Sequence, residues 1–184
     1  MYAIELYFDP ETERLIRKIA QEIITKHIPD FRTAIRPHIS LGVANEIDQT
    51  NLTTALENFA RDLPEFPLSL SYFGIFAVPE VVLYLGATVT TALFQAHRTF
   101  FAFFPNGASK LNPYYLPDSW VPHCTLVDKL SPETAIGALS DLIATPLPIR
   151  GRLASVGLER VAPLPSESLA EFPLRGKHRL QSPA

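Results

Sequence analysis

Two pentapeptides in this chain carry the residue types of a phosphate-handling site. They are Pro37-His38-Ile39-Ser40-Leu41 and, 85 positions on, Pro122-His123-Cys124-Thr125-Leu126. A lone H-x-[S/T] means little where Ser and Thr together make up 24 of 184 residues, and a third, His97-Arg98-Thr99, is present. Only His38 and His123 also have Pro before them and Leu after the hydroxyl residue. With 17 Pro and 24 Leu in the chain, such flanks coincide by chance about 1% of the time for each motif. Along a strand, residues i and i+2 project to the same face. His38 therefore projects with Ser40, and His123 with Thr125, while Ile39, Leu41, Cys124 and Leu126 point into the core. His97 and Thr99 fall on helical spacing, where i and i+2 do not meet, and His97 reads as the border of a helix face.

Two imidazoles flanking a phosphate suit in-line displacement at phosphorus. One takes a proton from the attacking oxygen and the other gives one to the leaving oxygen. An ordinary imidazole titrates near 6.5, so one ring can be neutral and the other charged around pH 7. The two hydroxyls can donate to non-bridging oxygens as charge develops. The chemistry needs no metal or other cofactor, and the chain offers neither a carboxylate-rich motif nor an obvious third histidine ligand.

The elements that must position these groups follow from periodicity. Residues 2–8 alternate and read as a strand. Asp9-Pro10, with Glu11 and Glu13, opens a helix that ends by Pro29, with Leu15, Ile16, Ile19, Ala20, Ile23 and Ile24 as its apolar stripe. Strand 38–44 follows, then a helix capped by Asp48 and carrying Leu52, Ala55, Leu56, Phe59, Ala60 and Leu63. A strand over 67–78 completes the first half. The order then repeats with strand 81–87 and a helix over 88–104 carrying Val89, Leu93, Phe94, Phe100, Phe101 and Phe104. A long loop, 105–121, precedes strand 123–130. A helix opening at Ser131-Pro132-Glu133 presents Ala135, Ile136, Leu139, Leu142 and Ile143, and strands 149–161 and 168–174 come last. Pro67-Leu68 also matches Pro148-Ile149, 81 positions on. The expected fold is α+β and bilobal by duplication, with units of about 1–78 and 80–162. It has two antiparallel sheets, each covered by helices, and a central cleft between pseudo-twofold-related lobes. Residues 1–174 form a single domain, and 175–184 a flexible tail.

Paired H-x-[S/T] strands in a duplicated chain of this size resemble the 2H phosphoesterase superfamily, and within it the bacterial 2'-5' RNA ligase or RNA 2',3'-cyclic phosphodiesterase group. The resemblance follows the order of elements over about residues 1–174, with its specificity resting on the two motifs. It implies a bilobal α+β fold and metal-independent opening of cyclic phosphates to a 2'-phosphate, on a nucleotide or an RNA end. It further implies His38 as proton donor to the leaving oxygen, His123 as the base activating water, and Ser40 and Thr125 as phosphate ligands. The first motif departs from the family by carrying Ser40 where Thr is common, which keeps the hydroxyl. The alternatives are 2'-5' ligation, the same chemistry reversed, and a nucleotide- or RNA-binding module without turnover.

Other residues are weighed against that site. Arg32 and Arg36, ahead of the first motif, are candidates to hold substrate, as are Tyr115 and Trp120, ahead of the second. Tyr114 sits in the same loop. Arg150 and Arg152 share a strand face and make a second basic pair. Parity allows only one of Phe73 and Phe76 to face a cleft. The Phe100-Phe101-Phe103-Phe104 cluster reads as core, Cys124 as a core thiol, His27 as the cationic end of a helix, and His178 as part of the tail. Apolar residues are 47% and charged residues 19%, enough for a buried core. The formal charge is −3, split into −6 over residues 1–145 and +3 over 146–184. That balance does not suit an extended duplex, and it fits a small anionic ligand or one strand's end. No run is long enough to span a membrane, the first residues do not read as a signal peptide, and the single cysteine precludes an internal disulfide. A cytoplasmic monomer is the expected state.

Overall fold

The computed structural model describes residues 1–29, 36–104, 110–161 and 166–176. Arg32, His178, residues 105–109 of the loop and residues 177–184 of the tail lie outside these.

The chain begins with β1 (Tyr2–Phe8), whose residues are almost all buried. Asp9 caps α1 (Pro10–His27), its carboxylate accepting from the backbone N–H groups of Glu11 and Thr12, with Pro10 preorganised in the first turn. The buried face of α1 is Thr12, Ile16, Ile19 and Ile23. Leu15, one residue off that line, is 45% exposed and does not belong to the stripe. β2 (His38–Ala44) precedes α2 (Gln49–Asp62), capped by Asp48 and burying Leu52, Leu56, Phe59 and Ala60. β3 (Phe66–Phe76) and β4 (Val81–Ala87) lead to α3 (Thr91–Phe103).

Thr90 caps α3, so Val89 falls outside the helix and is exposed, as is Phe94. The inward face is Leu93, Ala96, His97 and Phe100. His97 is therefore not at a border but in the core. β5 (His123–Leu130) and α4 (Pro132–Leu142, capped by Ser131) follow. α4 buries Ala135, Ala138 and Leu142 and leaves Ile136 and Ile143 in solvent. β6 (Ile149–Arg160) and β7 (Glu167–Pro173) complete the fold.

All strand pairings are antiparallel, and the class is α+β. The strands form one hydrogen-bonded path, β2-β1-β6-β3-β4-β5, with β7 also on β6. This corrects the expectation of two separate sheets. Each half contributes its third strand to the other half's side of the path: β6 pairs with β1, and β3 with β4. β6 is long enough to serve both sides, pairing through Ile149–Leu153 with β3 and through Leu153–Arg160 with β1. Joining the halves along β3–β6 gives those backbone groups a partner that two separate sheets would leave at an edge. The path curves, and its two terminal strands, β2 and β5, come together. After β7, Arg175 and Gly176 donate to the carbonyls of Ala60 and Leu63 at the end of α2, so the first two residues of the expected tail are part of the fold.

Candidate active site

His38 opens β2 opposite Tyr7 of β1, and Ser40 lies opposite Glu5. His123 opens β5 opposite Gly86 of β4, and Thr125 lies opposite Tyr84. The two motifs thus occupy equivalent positions on the two end strands of the path. Where the strands meet, the thiol of Cys124 approaches the backbone of His38. That thiol is fully buried, and burial pushes it up to about 12, which suits a core group and not a nucleophile.

Both imidazoles are held in the same way. Nδ1 of His38 bonds the carbonyl of Arg36 at 2.7 Å, and Nδ1 of His123 bonds the carbonyl of Val121 at 2.7 Å. A carbonyl only accepts, so each Nδ1 carries hydrogen and each Nε2 is the nitrogen left for chemistry. The proline after each carbonyl residue brings the preceding backbone into extended form, which aims the oxygen at the ring. Burial holds the His123 imidazole below its ordinary range, with the neighbouring His38 acting in the same direction.

The surroundings of the two rings differ. Phe76 meets His123 edge-on at 4.8 Å and Tyr84 tilts against it at 5.3 Å, while Phe76 and Tyr84 stack on each other at 4.4 Å. Phe73 instead packs on the core, as parity required of one of the two. The marked neighbour of His38 is a carboxylate. Its Nε2 lies 3.4 Å from Oε1 of Glu5, which is 5% exposed. Burial raises the Glu5 carboxyl above its usual range, opposed by His38 and by the Tyr7 hydroxyl.

Ser40 is buried, with Tyr115 beside its hydroxyl. Trp120 does not face outward: its Nε1–H donates to the Ser40 carbonyl at 2.9 Å, and its ring stacks on His97 at 4.0 Å. Nε2 of His97 in turn donates to the Tyr115 carbonyl at 2.9 Å. The loop ahead of β5 is further pinned to β2 by the Asn112 N–H on the Val43 carbonyl. Tyr114, by contrast, is 78% exposed.

Arg36 is committed elsewhere. Its guanidinium pairs with Glu13 at 3.1 Å and with Glu171 at 2.8 Å, and lies 3.8 Å from the centre of the Tyr7 ring. It reaches the site through its carbonyl. Arg150 and Arg152 flank the start of α1 with Asp9, Glu11 and Thr12, and are not gathered with the histidines. His27 pairs with Asp141, tying α1 to α4. Among the described residues, no three His, Cys, Asp or Glu side chains form a group that could hold a metal, and no helix is long and apolar enough to cross a membrane.

Sequence reasoning missed Glu5, Tyr84 and the inward His97. A signal for Glu5 existed, since a carboxylate sits amid an otherwise apolar strand, but its neighbour depends on strand register.

Comparison with known proteins bears on the fold and the family. A protein of Bacillus licheniformis, provisionally named a phosphoesterase, is 25% identical over 130 residues, covering 69% of this chain and 72% of its own length. The crystal structure of TT0787 of Thermus thermophilus superposes with a TM-score of 0.64 at 20% identity, covering 96% of this chain and 99% of that one. LigT of E. coli in apo form gives a TM-score of 0.60 at 19% identity, over 94% and 95% of the two chains. LigT has also been solved with 3'-AMP, and that structure gives a TM-score of 0.59 at 18% identity, over 94% and 97%. These structural likenesses carry the fold, and the family profile that matches residues 8–162 carries the assignment: the chain belongs to the 2'-5' RNA ligase superfamily, within the 2H phosphoesterases.

Proposed function

We propose that this protein is a phosphodiesterase that opens 2',3'-cyclic phosphates, on a nucleotide or at an RNA end, by acid–base catalysis between His38 and His123. The observation that carries the reading is the matched pair of imidazoles. Both are fixed through Nδ1 by the carbonyl two residues earlier, both offer Nε2, and both have a hydroxyl two residues on along the same strand face. The family supports phosphodiester chemistry in general, and the LigT structure with 3'-AMP supports a nucleotide as ligand.

His123 is the base. Its desolvated ring stays neutral to lower pH than an ordinary imidazole, so Nε2 can take a proton from water. The water oxygen bonds to phosphorus as the P–O3' bond breaks. Nε2–H of His38 delivers its proton to the 3' oxygen, leaving a 2'-phosphate and a 3'-hydroxyl. The hydroxyls of Ser40 and Thr125, with the Tyr115 phenol next to Ser40, are the donors available to the non-bridging oxygens. The superfamily's name favours a second reading, 2'-5' ligation. It is the reverse of the same steps, and water in vast excess drives hydrolysis.

The test is hydrolysis of 2',3'-cyclic nucleotides and of a short RNA ending in a cyclic phosphate, with EDTA present. Turnover is expected to survive EDTA and to fall by about 10² or more in His38→Ala and in His123→Ala. Saturable nucleotide binding without turnover would make the protein a binding module instead. Activity untouched by either substitution would remove the two-histidine mechanism.

A further inference from the structure

The two halves place their motifs alike but differ at one matched position. Glu5 stands opposite Ser40 on the strand beside His38, and Tyr84 stands opposite Thr125 on the strand beside His123. One imidazole therefore has a buried carboxylate 3.4 Å from Nε2, and the other has an aromatic ring. Burying a carboxylate in an otherwise apolar strand is costly unless it is compensated, and Glu5 is 5% exposed among buried Ile4 and Leu6. We propose that Glu5 is the positioning residue that breaks the site's pseudo-symmetry, fixing His38 as the proton donor and leaving His123 as the base. This inference rests on the two-histidine reading above and gives its direction a second, structural reason.

The groups facing Glu5 come from every neighbouring element. Tyr7 lies on its own strand, His38 on β2, Glu159 on β6, Arg36 ahead of β2, Tyr115 in the loop and Cys124 on β5. The Tyr7 hydroxyl donates to Glu159 at 2.9 Å, which keeps the second carboxylate occupied. Arg36 is held by Glu13 and Glu171. Among the described residues, His38 is thus the basic side chain within ion-pair distance of Glu5. Since Nδ1–H of His38 goes to the Arg36 carbonyl, Nε2 is the ring nitrogen that faces Oε1 of Glu5. The 3.4 Å separation is an ion-pair distance, longer than a good hydrogen bond, so Nε2–H stays free to reach a leaving oxygen. The neighbours of His123 are the Phe76 and Tyr84 rings, so the imidazole walled by aromatics is the one left neutral.

The experiment is kcat/KM against pH for a 2',3'-cyclic nucleotide in wild type, Glu5→Gln, Glu5→Asp and His38→Ala. The alkaline limb reports loss of the donor's proton, and the acid limb reports protonation of the base. In Glu5→Gln, which removes the carboxyl facing Nε2, activity at mildly alkaline pH is expected to fall about tenfold, with the alkaline limb moving to lower pH. The acid limb is expected to stay in place. Glu5→Asp keeps the charge at shorter reach and is expected to move the same limb by less, which gives a readout even if the Gln variant folds poorly. An alkaline limb that stays in place in both variants, while His38→Ala abolishes turnover, would overturn the role of Glu5 and leave the two-histidine reading intact. Full turnover in His38→Ala would overturn that reading itself, and the role of Glu5 with it.

Discussion

At the scale of single residues, the decisive contacts at the two histidines are backbone ones. A carbonyl two residues before each ring takes Nδ1–H and so assigns the tautomer, a choice no spacing rule can make. The hydroxyls two residues on are the groups the mechanism asks to stabilise charge. Ser40→Ala and Thr125→Ala are each expected to lower kcat by about 10², the cost of removing one preorganised donor, with little change in urea stability for Thr125→Ala and a loss of about 1 kcal/mol for Ser40→Ala, whose buried hydroxyl meets the Tyr115 phenol. Steady-state kinetics and a denaturation curve on the same samples check both halves of that statement. Ser40 was expected to be a simple phosphate ligand. In the fold it is also the point where the Tyr115 phenol and the Trp120 indole converge.

At the scale of elements, α3 differs most from its sequence reading. The helix starts at Thr91, and its buried face runs through Leu93, Ala96, His97 and Phe100. Leu93 and Phe100 face inward and Phe101, Phe103 and Phe104 pack against the core as expected, but Phe94 stays exposed while the polar His97 goes inside. His97 is satisfied there by the Tyr115 carbonyl and the face of Trp120, a neighbourhood supplied by a loop distant in sequence. Burial lowers the His97 imidazole, so the folded state binds its proton less readily than the unfolded state does. The sign follows: the ring's contribution to stability is present above the ordinary imidazole range and is lost as pH falls through that range. Urea midpoints measured from about pH 7.5 down to about 5, a span that brackets the ordinary imidazole range, are expected to fall less steeply in His97→Phe than in wild type. Equal slopes would mean that His97 does not report on the packing of this loop.

At the scale of the whole molecule, the exchange of third strands brings the two motifs together. With β6 paired to β1 and β3 paired to β4, the halves share one path whose ends, β2 and β5, close on each other. The Cys124 thiol lies at that closure, buried and raised to about 12. Iodoacetamide at about pH 8, near the titration range of a free thiol, is expected to leave it unmodified in the native protein and to alkylate it fully in denaturing urea. Rapid alkylation of the native form would mean that the closure opens readily. The same closure separates the candidates. It brings the strand of His38 and Ser40 against the strand of His123 and Thr125, sets Tyr115 beside Ser40, commits Trp120 to bracing and Arg36 to Glu13 and Glu171, and leaves Arg150 and Arg152 at the start of α1.

Local chemistry alone determined a good deal of this protein. Period-two and helical spacing, Asp9-Pro10, Asp48 and Ser131-Pro132 are short-range signals, and they set the order of strands and helices and put each histidine on the same strand face as its hydroxyl. The repeated motif carried the family as well. Tertiary structure alone decided which strand pairs with which, which face of α3 is inside, and that Glu5 stands beside His38 while Tyr84 stands beside His123. These outcomes depend on register and on contacts between residues far apart in the chain, where intrinsic preference is weak and the geometry is fixed by burying one continuous core.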